Sequence, residues 1–328
     1  MKKNLWMLGM AVAALTSCTQ SEVVEMPESK VIQFDSFVNR ETRETISATD
    51  DLDHFFVFGY NTLIEDEKNY ATANYTQLFN ESQLNSPAWT HQNPNEEVGW
   101  ANNRLYRFAA YSNGNDKCSD GVVSFDPKTK ILTFTDYEVT NHDLIADVTA
   151  DKLTDDDVSS ESKVGLNFKH MLSRVRFTFT NKSTTNKIEI HEIVINNVLN
   201  KSTGTIDENG VINWESTGTK VNKTFEHKIL DVSTSCQLEH YVIPQSNEFT
   251  VIIKYCTLAA DGSTLHTNGP TNNGEEVSLA YANALVQKIW EPWYVYNYSA
   301  ELNSSQKKIE FFVETFSAWE NKNPGLDI

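Results

Sequence analysis

Short stretches in which every second residue is apolar constrain this chain more than any other feature of its sequence. The clearest stretch is Leu166–Thr180, where Val175, Phe177 and Phe179 fall on one face of an extended strand. Similar stretches recur between polar turns, whereas helical periodicity is weak and allows at most a turn or two near residues 279–288. Many short strands separated by turns predict an all-β fold made of β-sandwiches.

The length and one acidic segment predict how the chain is divided. At about 150 residues per domain, 328 residues suggest two domains. The clearest polar break is the sequence DKLTDDDVSSES, at residues 151–162. We therefore expect an N-terminal β-sandwich domain over 31–158 and a C-terminal one over 159–328.

The amino terminus has the pattern of an exported lipoprotein. Lys2 and Lys3 precede an uncharged apolar run over residues 5–15, which is too short to span a bilayer. Leu15-Thr16-Ser17-Cys18 then has the form of a lipobox, in which the cysteine receives diacylglycerol. An ordinary signal peptide followed by a chance cysteine is the alternative. Residues 1–17 are therefore predicted to be a signal peptide, Cys18 the lipidation site, and the polar residues 18–30 a flexible tether.

Charge and motifs exclude several functions. A net charge of −18 disfavours nucleic-acid binding, because phosphate contacts need a basic face. The sequence has no glycine-rich phosphate loop and no GxSxG motif. His191-Glu192 has no second histidine at helical zinc spacing, and His170 is interpreted as structural. We expect no enzymatic activity, no cofactor and no metal site; a hydrolase would need a carboxylate pair that no motif marks.

Two cysteines flank a predicted hairpin. Strands over 238–243 and 249–255 would place the turn near Ser246, midway between Cys236 and Cys256. A disulfide between these two thiols is possible if the register is right, and two buried free thiols are the alternative. Cys118 lies in a polar loop and is predicted to be unpaired.

Several sequence strings together resemble the fimbrillin family, the subunits of type V pili in Bacteroidales. The resemblance covers about residues 1–320 and rests on the order in which the strings occur. Besides the lipobox, the strings are Trp100 with Tyr106–Tyr111, Asp143–Ala146, Phe168–Val175 and Tyr241–Gln245. The family implies two transthyretin-like β-sandwich domains in tandem, export as a lipoprotein, and display on the outer membrane in a fimbrium.

The resemblance also implies a mode of assembly. In polymerising members an arginine- or lysine-specific protease removes the first strand, and a donor strand from another subunit fills the groove. The matching pieces here are Val31–Val38, with Ile32, Phe34 and Val38 on one face, and Arg40 or Arg43 as the cleavage site. Solvated loop charge is the alternative reading of the two arginines.

The expected partners are other fimbrial subunits, the maturation protease and a host or bacterial surface ligand. Only nine residues follow Trp319, so a C-terminal donor segment would have to be 309–319 itself. If that strand completes its own sandwich, the chain cannot donate. The alternative function is a glycan-binding surface lipoprotein that does not polymerise, with sugars stacked on exposed tryptophans: Trp89, Trp100, Trp214, Trp290, Trp293 and Trp319.

Overall fold

A computed structural model describes most of the chain between residues 30 and 316. The described ranges are 30–38, 52–65, 69–158, 163–225, 227–246, 250–259, 261, 264–265, 277–282, 289–302 and 312–316. Within these ranges the helical content is one 3₁₀ turn, Pro94–Glu96. No helix there is long and apolar enough to cross a membrane.

The described strands are numbered in chain order. The first half contains β1 Phe34–Val38, β2 His54–Leu63, β3 Thr76–Asn85, β4 Thr90–His91, β5 Arg104–Asn113, β6 Val123–Asp126, β7 Ile131–Glu138, β8 Leu144–Val148, β9 Lys152–Leu153, β10 Val164–His170 and β11 Ser173–Asn181. The second half contains β12 Lys187–Asp207, β13 Ile212–Trp214, β14 Thr219–Phe225, β15 Lys228–Leu230, β16 Ser235–Val242, β17 Gln245–Ser246, β18 Thr250–Leu258, β19 Thr264–Leu265, β20 Val277–Ala282, β21 Ile289–Trp290, β22 Val295–Leu302 and β23 Phe312–Phe316.

The first sheet has hydrophobic side chains on both faces. Its order is β1-β10-β8-β5-β2-β3-β4, with β9 also paired to β5. Along β5, Tyr106, Phe108 and Ala110 pack into one cluster, and Ala109 and Tyr111 pack into a second cluster on the opposite face. Because side chains alternate along a strand, a sheet buried on both faces needs apolar residues at consecutive positions, as the sequence of β5 provides.

A second large sheet is organised around the 21-residue strand β12. Its order is β19-β18-β12-β7-β6, and β13, β14 and β15 also pair with β12. The C-terminal part of β12 pairs with β7 and faces the first sheet, with Leu199 and Ile206 in the shared cluster. Its N-terminal part, with Ile188 and Ile193, packs against the four-stranded sheet β16-β11-β22-β23 in a third cluster.

The structure confirms the all-β prediction and several strand pairs. The turn residues Asp126-Pro127 predict a hairpin, which is the β6–β7 pair, and the polar turn within residues 205–212 predicts a second one, which β12 and β13 form. The sequence alternates at Ile188 and Ile190 and shifts phase at Ile193, which indicates a bulge, and the register between β12 and β18 does shift between Ile190 and Glu192.

Two local predictions are wrong. The strands over 238–243 and 249–255 do not form a hairpin, because β16 pairs with β11 in one sheet and β18 pairs with β12 in another. The short connection between β16 and β18 therefore links two sheets and does not pair these strands with each other. The helical turn allowed near 279–288 is also absent from residues 279–282, which lie in β20 and pair with β18.

Strand pairing crosses the predicted domain boundary after residue 158. β10 lies between β1 and β8 of the first sheet, although it follows the acidic segment in sequence. Within the acidic segment, Lys152–Leu153 form β9, which pairs with β5 of the same sheet. The division into two tandem transthyretin-like domains stays a prediction.

Candidate functional site

The first strand is an edge strand held by few backbone contacts. β1 lies at the end of its sheet and pairs in parallel with β10, from Phe34 opposite Val164 to Val38 opposite Phe168. Just before it, the Ile32 amide donates to the Val98 carbonyl at 2.9 Å, and the Trp100 amide donates to the Lys30 carbonyl at 3.0 Å. These two neighbours, β10 and residues 98–100, supply the described backbone pairing of this segment.

Two apolar side chains anchor β1 to the sheet. Ile32 is 2% exposed and Phe34 is fully buried, as the alternation in the sequence predicts. The Phe34 ring contacts three other rings edge-on, with centroid distances of 5.6 Å to Phe108, 5.9 Å to Phe79 and 6.4 Å to Phe55. Burying a side chain of this size contributes about 2–3 kcal/mol, so these two residues supply much of the free energy that holds β1.

Charge contributes little to the attachment of β1. Lys163 Nζ lies 3.1 Å from Asp35 Oδ1, but both side chains are close to half exposed. Such ion pairs contribute at most about 1 kcal/mol, because water screens them. The strand is therefore held mainly by apolar contacts and backbone hydrogen bonds.

The connection after β1 contains the predicted cleavage site. β1 and β2 are four positions apart in the sheet, a separation of about 19 Å at the usual strand spacing. Arg40 and Arg43 lie between these strands in sequence. Both arginines, and Cys18 near the amino terminus, are outside the described residues. A cut in this connection would leave β1 attached only through its own pairing and buried side chains.

The last described strand belongs to its own chain's sheet. β23 pairs antiparallel with β22, from Phe316 opposite Val295 to Phe312 opposite Ser299, at the edge of the four-stranded sheet. This part of the predicted donor segment over 309–319 is therefore an integral edge strand here, and Trp319 lies outside the described residues.

The predicted cysteine pair lacks the hairpin that motivated it. Cys236 lies opposite Phe179 in one sheet, whereas the backbone of Cys256 lies opposite Glu189 in the other. The disulfide stays a prediction without that geometric basis. Cys118 is a free, buried thiol, and burial raises its pKa to about 12, which keeps the thiol protonated and unreactive.

The described tryptophans do not form sugar-stacking platforms. Trp100 and Trp290 are 2% and 1% exposed and belong to hydrophobic clusters of the core. Trp89, Trp214 and Trp293 are half-buried, and Trp89 lies 4.8 Å from the ring of Phe55. A glycan-binding surface would need exposed rings, so the tryptophan positions give that alternative no support.

The strings that resemble fimbrillins form internal contacts of the core. The Arg107 guanidinium donates to both carboxylate oxygens of Asp151, at 2.9 and 3.1 Å, with the arginine side chain 5% exposed. His170 Nδ1 contacts the Asp143 carboxylate, which joins two of the strings and fits a structural histidine.

Gln245 forms structural hydrogen bonds at the end of the last string, Tyr241–Gln245. Its side-chain Oε1 accepts a hydrogen bond from the Leu199 amide at 2.8 Å, and its Nε2 donates to the Ile243 carbonyl at 2.9 Å. Leu199 lies where the pairing of β12 with β14 is irregular, so the glutamine satisfies a backbone donor beside that irregularity.

One group of side chains among the described residues has the composition of a metal site. Donor atoms of Glu189, His191 and His227 all lie within 4.8 Å of one another. Sequence spacing alone missed this group, because His227 lies just before β15, 36 residues after His191.

Comparisons with known proteins agree with the fold. A family model described as fimbrillin-like matches residues 42–319. The chain belongs to the fimbrillin-like family. Its matched region begins after β1 and includes β2 through β23, so membership does not depend on the first strand.

Solved structures resemble this fimbrillin-like chain over most of its length. A fimbrial protein from Bacteroides vulgatus is 16% identical, with a TM-score of 0.56, and the match covers 89% of this chain and all of the other. A protein from Bacteroides ovatus proposed to act in cell adhesion is 14% identical, with a TM-score of 0.54, and the match covers 89% of this chain and 98% of the other. At these identities the likeness establishes a shared fold. No curated protein sequence matches the chain significantly.

Proposed function

We propose that this protein is a structural or adhesive subunit of a surface fimbria, and that it accepts a donor strand where β1 now lies. The observation that carries the proposal is the edge position of β1, which fills an aromatic groove through Phe34 and is held by β10 and residues 98–100. The family and the structural neighbours support a fimbrial or adhesive role.

Removing β1 would create a binding surface for another strand. The backbone of β10 would lose its partner along Val164–Phe168, and the rings of Phe55, Phe79 and Phe108 would lose their contact with Phe34. An incoming strand with apolar residues at alternate positions would restore both kinds of contact, which is β-augmentation. The groove and the exposed strand edge therefore favour the same occupant.

Cleavage after Arg40 or Arg43 would release β1 together with the lipidated amino terminus. Diacylglycerol at Cys18 supplies two acyl chains, the number that stable membrane anchoring requires. The lipid would hold the precursor at the outer membrane, and cleavage would transfer the subunit from lipid attachment to attachment within the fimbria.

The C-terminal strand favours the role of acceptor over that of donor. β23 already pairs with β22, so donating it would cost the chain an edge strand of its own sheet. We infer a tip or accessory position, in which this subunit receives a strand from a neighbour and does not pass one on.

The amino terminus of surface-purified protein tests this assignment. In a Bacteroidales strain that assembles fimbriae, mass spectrometry should find a mature terminus after Arg40 or Arg43. Gel electrophoresis should show complexes with other subunits that survive mild detergent and dissociate on strong heating. The double variant Arg40→Ala/Arg43→Ala should begin at acylated Cys18 and form no such complexes. Lys30→Ala is the matched control, because a cut there would leave β1 attached, and it should behave like the wild type.

Two results would overturn the proposal in different ways. Wild-type surface protein that begins at Cys18 and retains residues 31–38 would rule out strand removal. A ladder of this subunit alone would contradict the acceptor-only position, because a homopolymer requires every copy to donate a strand.

A further inference from the structure

We propose that Glu189, His191 and His227 form a Zn²⁺-binding site on the outer face of the β12 sheet. This inference is independent of strand exchange. It rests on one carboxylate and one imidazole from β12 and a second imidazole from the residue before β15, with all of their donor atoms within 4.8 Å of one another.

Strand register brings the two histidines together. In the pairing of β12 with β15, Ile188 lies opposite Leu230 and Ile190 lies opposite Lys228. In the pairing of β12 with β14, Ile193 lies opposite Phe225. The same register, continued between these pairs, places His191 directly opposite His227. The two rings are 5.9 Å apart between centroids.

A bulge in β12 lies at the position of His191. Ile188 and Ile190 are fully buried, and the next fully buried positions are Ile193 and Ile195, so two consecutive residues separate the two buried pairs. The pairing of β12 with β18 shifts at this point. Alternation from the buried Ile188 and Ile190 places Glu189 and His191 together on the outer face, and bulges of this kind are common beside functional sites.

The distances suit a small cation with tetrahedral geometry. His227 Nε2 lies 2.7 Å from Glu189 Oε1, and His191 Nε2 lies 3.7 Å from Glu189 Oε2. Ligand atoms about 2.0–2.1 Å from a tetrahedral Zn²⁺ are about 3.3 Å apart. The observed separations lie on either side of this value, so small side-chain rotations would suffice to form the site.

The donor set selects the class of metal. Imidazole nitrogen suits zinc and its neighbours, whereas calcium and magnesium prefer sites made of oxygen. The side chains of Glu189, His191 and His227 are 20%, 27% and 49% exposed, so the metal can enter from solvent and water can supply a fourth ligand. The net charge of −18 also favours the approach of cations.

A zinc titration of the lipid-free chain from residue 19 onward, without a polyhistidine tag, tests the site. Isothermal calorimetry should show one saturable Zn²⁺ site per chain, and Ca²⁺ should not compete for it. His191→Ala and His227→Ala should each weaken binding at least about tenfold. His142→Ala, at an exposed histidine outside the group, is the matched control and should bind like the wild type.

Two further measurements separate loss of the site from loss of the fold. Glu189→Gln preserves side-chain size and should also weaken Zn²⁺ binding, while circular dichroism confirms that each variant remains folded. Co²⁺ should give a visible absorption spectrum typical of a tetrahedral site in the wild type and lose it in the folded variants. Absence of saturable Zn²⁺ binding in the wild type, wild-type affinity in either histidine variant, or equal competition by Ca²⁺ would overturn the assignment.

Discussion

At the scale of single residues, Asp147 is a buried carboxylate that forms no ion pair with the residues that the structure describes. It lies in β8, is 9% exposed, and its Oδ2 accepts a hydrogen bond from the Asn167 amide of β10 at 2.8 Å. Burial raises its pKa from 3.8 to about 6, although the Asn167 amide and the charge of Lys169 act in the opposite direction. Desolvation therefore has the larger effect on this group.

This shift predicts a pH dependence of stability with a definite sign. The folded state binds the Asp147 proton more tightly than the unfolded state, so the contribution of this residue to stability falls as pH rises from about 4 to about 6. Asp147→Asn removes the charge and keeps an oxygen that can accept from Asn167. Relative to the wild type, the variant should gain up to about 3 kcal/mol between pH 4 and pH 7, measured by urea unfolding.

An exposed aspartate provides the comparison for this prediction. The side chain of Asp120 is 95% exposed, so Asp120→Asn should follow the wild-type pH profile. A constant difference between Asp147→Asn and the wild type across this pH range would show that Asp147 does not titrate with a raised pKa.

At the scale of strands, alternation was a reliable guide where one side of a strand faces a core. Ile32 and Phe34 are buried as their spacing predicts, and the phase shift near Ile193 correctly indicated a bulge. Alternation describes one strand at a time, however, and does not specify its partner. The sequence around Ser246 therefore suggested a hairpin, whereas β16 and β18 belong to different sheets.

At the candidate sites too, the sequence indicates which residues face a core but not which strands lie side by side. The position of β1 followed from its apolar residues and from a resemblance that extends over nearly the whole chain. The convergence of His191 with His227, 36 positions apart in sequence, depends on the register between β12 and β15. Local spacing carries no information about such a pair, which is why a search for helical zinc spacing did not find it.

Phe34 should control how firmly β1 is attached. Phe34→Ala removes the three ring contacts, and a buried Phe→Ala change costs about 3–5 kcal/mol. Opening of β1 should therefore be favoured at least about 100-fold, seen as faster hydrogen exchange of amides in β1 and in Val164–Phe168. Gln33→Ala, at an exposed neighbouring position, should leave these rates unchanged. Equal exchange in the two variants would show that Phe34 does not hold the strand.

At the scale of the whole molecule, strand β12 ties the two large packing regions together. Its 21 residues contribute Ile188 and Ile193 to one hydrophobic cluster, and Leu199 and Ile206 to another. β10 likewise returns to the first sheet from beyond the acidic segment. Both crossings place strands that follow the acidic segment in the packing of strands that precede it.

This arrangement predicts that residues 31–158 do not fold alone. The fragment lacks β10, so β1 loses its partner in the sheet, and it lacks β12 and β13, so the cluster with Tyr111 and Phe134 loses Leu199 and Ile206. Below the size at which a core is complete, burial does not offset conformational entropy. The isolated fragment should show no cooperative urea transition by circular dichroism.

Co-expression with the complementary fragment is the control, because it restores the missing strands without restoring the peptide bond. Fragments 31–158 and 159–328 should copurify and unfold in a cooperative transition, since the pairs of β10 with β1 and β8, and of β12 with β7, can form between them. A cooperative transition of 31–158 by itself would mean that its sheet is stable without these strands. In that case the acidic segment would mark a true domain boundary, and the crossing strands would add to a core that is already sufficient.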